Sequence, residues 1–203
     1  MSSLPTKGED FIRWDRTLFI ANTSDAERRD LFLGTAARLG TAVQNVEKDF
    51  WVCWTLDALF NGLQAGGPRL LFKRGTSLSK AFGLISRFSE DIDITVFRDD
   101  LGQGADIADL DALSGKKRRA RLEAIREACQ AYIAGPLSGQ LAHLAASIIP
   151  DARFRLEPDP DDQDGQSLLF WYPAVTADTG GCIRSAVKIE SGAKSALDPV
   201  LSQ

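Results

Sequence analysis

Residues 91–97 read DIDITVF, an alternation of polar and apolar side chains with period two. That period belongs to a strand with one buried face: Ile92, Ile94 and Val96 turn one way, and Asp91, Asp93 and Thr95 turn the other. Two carboxylates at i and i+2 then project from the same face, and they repel unless water or a cation screens them. The strand therefore belongs in a sheet with one covered side and one accessible side. A divalent cation with oxygen ligands is the natural partner of such a pair, and magnesium favours one or two carboxylates completed by substrate phosphates. An acidic pair of this kind also arises by chance as a solvated strand end.

What precedes the strand narrows the choice. LLFKR (70–74) is a short apolar run with the character of a buried strand, and RGTSLSK (74–80) follows it as a small-residue turn opening a helix from Ser77 to about Ile85. Gly75 lets the backbone approach a ligand closely, and Thr76 and Ser77 offer hydroxyls. The first N–H groups of a helix form an anion site, which Lys80, one turn in, can reach. Taken alone, Thr76 or Ser77 is simply a helix cap. Strand, Gly-Thr-Ser turn, short helix and acidic strand in succession put a phosphate holder and a metal holder on neighbouring strands, as phosphoryl or nucleotidyl transfer requires. Two-metal chemistry asks for a further carboxylate from the sheet, and Glu190, at the end of AVKIE, is the choice. Lys188, two residues earlier, shares its face and can neutralise charge there. Asp178 and Asp198, in loops, are alternatives, and a strand-end surface charge is the bland reading of Glu190.

The rest of the chain reads as follows. Residues 8–63 are helical, with a capping box at Ser24-Asp-Ala-Glu27. A second helix runs through VQNVEKDFWVCWTLDALFNG, with an apolar stripe of Val46, Phe50, Cys53, Trp54 and Leu56, and ends at Asn61-Gly62. Trp51 and Trp54 are packing residues. Residues 105–147 form two helical pieces broken at Gly135-Pro136, and strands are expected at 152–157, 167–175 and 183–190. The acidic stretch EPDPDDQD (157–164) reads as a solvated connector without chemistry. The class is α+β, a sheet of about five strands flanked by helices. A helical N-terminal part (1–66) packs on a core (67–203).

Composition excludes several functions. The 203 residues are 44% hydrophobic, 26% charged and carry a formal net charge of -4, which suits one sizeable core rather than a basic, sequence-blind nucleic-acid binder. KKRRAR (116–121) is a local exception; it can meet an RNA backbone or be a solvated helix face. Three scattered cysteines give no disulfide framework and suit a reducing cytoplasm. The single histidine, His143, rules against a His triad and reads as a packed core residue. No signal-like start and no run long enough to span a membrane is seen, so a cytoplasmic protein is expected.

KRGTSLSKAFGLISRFSEDIDITV closely resembles the core motif of the AbiEii/AbiGii toxin family of nucleotidyltransferase-like proteins, whose usual form is close to FKGGTSLSK…RFSEDIDL. VEKDFWVCWTLDALF, SLLFWYPAV and VKIESGAKS resemble further family segments in the family's order, from about residue 46 to 195. The resemblance implies a mixed sheet like that of the DNA polymerase β nucleotidyltransferases. It implies a Mg2+- or Mn2+-dependent enzyme moving a nucleotide from a nucleoside triphosphate to an acceptor such as tRNA. A bacterial toxin–antitoxin or phage-defence role, with a cognate antitoxin protein as partner, comes with it. By motif position, Gly75, Thr76, Ser77 and Lys80 correspond to the nucleotide-holding turn, and Asp91 and Asp93 to the metal-binding pair. Lys48 and Asp49 match the family's KD and read as helix packing. Arg74 stands where the family has a glycine, so it either crowds the phosphate or binds it. Family members commonly continue with a helical C-terminal region that is not in this sequence. The alternative is therefore a nucleotide-binding or partner-binding module without turnover.

Overall fold

The computed structural model describes residues 19–72, 91–105, 107–176 and 184–193. The Gly75–Lys80 turn, Arg74, the helix expected after Ser77, Asp178, Cys182 and Asp198 lie outside these residues.

Helix α1, Asp25–Leu39, begins with the expected capping box. The Ser24 N–H donates to the Glu27 carboxylate at 2.8 Å, and the Glu27 N–H donates to the Ser24 hydroxyl at 3.3 Å. It ends where Gly40 takes φ +65, a left-handed conformation open to glycine without strain. Helix α2, Val43–Asp57, continues through a π-helical turn, Ala58–Gly62.

The single apolar stripe expected on α2 is too narrow. Val46, Phe50, Cys53 and Leu56 are half-buried, while Glu47, Lys48, Trp51, Val52, Trp54 and Thr55 are buried. The helix is covered on two sides, and each side draws on different residues. Phe50 meets Phe19 and Phe32 on the α1 side, at ring separations of 5.5 and 5.6 Å. Trp51 stacks on Tyr172 at 5.4 Å, and Trp54 on Phe170 at 5.2 Å, on the sheet side.

Five strands form one mixed sheet: β1 (Leu70–Phe72), β2 (Asp91–Val96), β3 (Arg155–Pro158), β4 (Ser167–Trp171) and β5 (Ala186–Gly192). Their order is β1-β2-β5-β4-β3, and only the β2–β5 pair is parallel. This is the α+β class and strand number read from the sequence. One face is the core. Ile92, Ile94, Val96, Val187, Ile189 and Phe170 are fully buried, packed with Trp51 and Trp54. Helices α3 (Ile107–Ala112), α4 (Gly115–Tyr132) and α5 (Ser138–Ile148) link β2 to β3; Ile125, Cys129, Leu141 and Ala145 join the same core.

The break expected at Gly135-Pro136 does not occur. Both residues lie in a π-helical turn, Ile133–Leu137, flanked by helical Tyr132 and Ser138. A widened turn accommodates the N–H that proline lacks, so the rod continues from α4 into α5. The interruption falls instead between α3 and α4, ahead of Ser114. His143 is exposed on α5 rather than packed, because the buried stripe there is Leu141, Ala145 and Ile148.

Candidate active site

The face of the sheet opposite the core carries the candidate residues. On β2 the burial changes along the strand: Asp91 is exposed, Asp93 half-buried and Thr95 buried. The acidic pair thus lies at the open end of a face that closes towards Val96. The parallel register sets Asp93 directly beside Glu190 and Asp91 beside Lys188. Adjacent strands lie about 4.8 Å apart, so these four side chains share one patch of sheet. Glu190 is in turn the register partner of Ser167 on β4. The sheet topology therefore brings Asp91, Asp93 and Glu190 to one face. The turn residues Arg74, Gly75, Thr76, Ser77 and Lys80 are outside the described residues.

Lys188 does what its position on β5 suggests. Its ammonium lies 2.7 Å from Glu190 Oε1. It also lies 3.3 Å from Asp159 Oδ2, a partner that reading the sequence missed. The hydrogen bond with Glu190 and the added pull of Asp159 outweigh desolvation and push the Lys188 pKa up to about 12. Asp159 belongs to the acidic stretch read as a solvated connector, yet it is only 5% exposed. The loop builds itself from aspartates. The Asp159 N–H donates to Ser167 O at 3.0 Å, the Asp161 N–H to Asp159 Oδ1 at 3.1 Å, and the Gln166 N–H to Asp162 Oδ2 at 2.7 Å. The available signal was the run of Asx residues directly ahead of a strand, a composition that folds on itself through side-chain to backbone bonds.

A second buried acid lies on α2. Glu47 on α2 is 2% exposed. It accepts the Val175 N–H at 2.7 Å, the Thr176 N–H at 3.0 Å and the Thr176 hydroxyl. This ties α2 to the segment that follows β4. Lys48, beside it, is also buried, in keeping with a packing role.

Among the described residues, no three His, Cys, Asp or Glu side chains are gathered closely enough to hold a metal ion. Asp91 and Asp93 have the chemistry and the shared face for a magnesium ion that keeps water and phosphate ligands. Glu190 is adjacent by register but engaged by Lys188. The pair fits, with Glu190 as a third donor once released.

In KKRRAR, Arg118 turns to α3 and Arg121 to the loop ahead of α3. Arg118 donates to the carbonyl oxygens of Leu110 and Asp111, both at 2.8 Å, and Arg121 to that of Gly104 at 2.8 Å. Lys116, Lys117 and Arg119 stay exposed. No helix among the described residues is long and apolar enough to cross a membrane.

A mixed sheet with one apolar core face, and on its other face carboxylates set on adjacent parallel strands, is an architecture suited to phosphate and metal chemistry. The family model described as "Nucleotidyl transferase AbiEii toxin, Type IV TA system" matches residues 57–202, and the chain belongs to that family of nucleotidyltransferase toxins. The matched span begins at the end of α2, so most of the VEKDFWV helix precedes it. No curated protein and no solved structure matches the chain.

Proposed function

We propose that this chain is a cytoplasmic, metal-dependent nucleotidyltransferase that moves a nucleotide from a nucleoside triphosphate to the 3′ end of an RNA, foremost tRNA. It would act as the toxin of a toxin–antitoxin pair with a phage-defence role. The observation that carries the reading is the register of Asp93 beside Glu190, with Asp91 on the same face, in a member of this family. Asp91 and Asp93 would hold the metal, with Glu190 as third ligand. Gly75, Thr76, Ser77, Lys80 and Arg74 would hold the triphosphate. The metal, when bound, neutralises charge on the phosphates and lowers the pKa of the attacking hydroxyl.

The acceptor's 3′ oxygen forms a bond to the α-phosphorus, the bond from that phosphorus to the β-phosphate bridge breaks, and pyrophosphate leaves. The chain supplies positioning and charge compensation rather than a nucleophile. A nucleotide-binding module without turnover is the second reading, favoured by the hold of Lys188 on Glu190.

The test is label transfer from each α-labelled nucleoside triphosphate to total bacterial RNA and protein, with Mg2+. We expect label on an RNA band and a loss of at least ~100-fold in Asp91→Ala/Asp93→Ala. Label on protein would overturn the RNA acceptor. No label from folded protein that binds nucleotide would select the second reading.

A further inference from the structure

We propose that Asp159 is a positioning residue that keeps Lys188 as a built-in counter-ion for Glu190, so that a divalent metal enters by shifting the ammonium from Glu190 onto Asp159. The inference rests on the reading of Asp91, Asp93 and Glu190 as the metal-binding face.

Three features of the cluster carry it. The first is that the two carboxylates flanking Lys188 differ in freedom. The Glu190 side chain is 44% exposed and the Asp159 side chain 3%. Asp159 is further fixed through its own N–H to Ser167 O, and its Oδ1 is engaged by the Asp161 N–H. Oδ2 is the oxygen left to face Lys188. The second is the unequal sharing of the ammonium, 2.7 Å from the exposed acid and 3.3 Å from the buried one. An ammonium has three donors on a flexible stem, so a small rotation exchanges its main partner. The third is the strand register, which puts Lys188 beside Asp91, and Glu190 beside Asp93. A cation arriving between the aspartates therefore meets the Lys188 charge first.

Without a second anchor, moving Lys188 off Glu190 would leave a half-buried ammonium unpaired, which is costly. Asp159 removes that cost. It holds the lysine on the site face in both arrangements while Glu190 becomes available.

The experiment is a Mn2+ titration of the full chain, following free Mn2+ by its paramagnetic resonance signal. It compares wild type, Asp159→Asn, Lys188→Met, the double variant and Asp93→Asn. Lys188→Met removes the competing charge and keeps the stem, so Mn2+ should bind about threefold to tenfold more tightly. Asp159→Asn leaves Lys188 with Glu190 alone, so Mn2+ should bind about threefold to tenfold more weakly. The decisive arm is the double variant. If Asp159 acts through Lys188, adding Asp159→Asn to Lys188→Met changes affinity by less than about twofold. An equal loss in both backgrounds would make Asp159 a distant charge only and overturn the proposal. So would a Lys188→Met protein with unchanged affinity, an arm that decides alone if Asp159→Asn fails to fold by circular dichroism. Asp93→Asn separates the layers. Wild-type Mn2+ binding in that variant refutes the metal-binding face and the inference with it. Lost binding there, with an additive cycle, refutes the inference alone.

Discussion

Ile189 and Glu190 are neighbours on β5. The first is fully buried against α2 and its partners, and the second turns to the far side, where Lys188 meets it at 2.7 Å. The difference recurs on β2 between Ile92 and Asp93. What matters on the core face is volume and the absence of charge; close-packed interiors are sensitive to lost methylenes and still more to an unpaired ion. On the other face the identity and charge of each side chain matter, and packing contributes less. One strand therefore answers to two sets of constraints, alternating residue by residue.

The largest expected effect comes from crossing that line. Ile189→Asp puts a carboxylate among Trp54, Phe170 and Ile92 and should cost more than ~4 kcal/mol, read as loss of the urea transition. Asp93→Asn, on the other face, should leave the urea midpoint within the equivalent of ~0.5 kcal/mol of wild type. Equal destabilisation by the two would erase the distinction between the faces.

Glu47 sharpens the comparison, being an acid on the core side. It is tolerated because both its oxygens are filled by Val175 and Thr176. Glu47→Ala should cost about 2 kcal/mol in urea unfolding, since it strands those buried donors. Glu47→Gln, which keeps one acceptor, should cost less.

The smallest effect lies at the surface. Arg153 donates to Asp25 at 2.7 and 3.1 Å, tying α1 to the turn ahead of β3. The hydrogen bond from Arg153, helped by its charge and that of Arg28, holds the Asp25 carboxyl below its ordinary 3.8. A depressed carboxylate pKa stabilises the fold above 3.8 and loses that contribution as pH falls through the lower folded-state value. Both side chains are nearly half exposed, so solvent leaves less than about 1 kcal/mol. Thermal unfolding scanned from pH 5 to 2 should therefore show a slightly shallower acid decline in Arg153→Met than in wild type.

The strands could be read from the sequence because β2 and β5 each have one dry face, and period-two alternation reports just that. DIDITVF predicts the buried Ile92, Ile94 and Val96 and the more accessible Asp91 and Asp93 as found, whereas Thr95, expected on the accessible side, is buried. The shared face of Lys188 and Glu190 follows from the same period. Residues whose environment is made by distant segments could not be read. Helical periodicity in α2 says nothing of a second covered side, so buried Glu47 was not expected, whereas the packing role read for Lys48 agrees with its burial. His143 has apolar neighbours in sequence, yet a helix sends neighbours to different faces. Gly135-Pro136 reads as a stop, whereas a π turn absorbs it. Asp159 looked solvated because its partner, Lys188, comes from the other side of β4 in the chain.

The strand order has a consequence for how such a protein is made. β5 lies between β2 and β4, although it follows both in the sequence. The neighbours Asp93 and Glu190 are thus joined only across a long loop of intervening helices and strands, a contact that forms late and slowly. A nascent chain can emerge from the ribosome with its helices and the β3–β4 hairpin in place while the middle of the sheet is still open. Until the segment carrying Lys188 and Glu190 slides into that gap, the acidic face has one wall. Assembly of that face then waits on β5, and the carboxylates proposed for the metal cannot meet before β5 has been made.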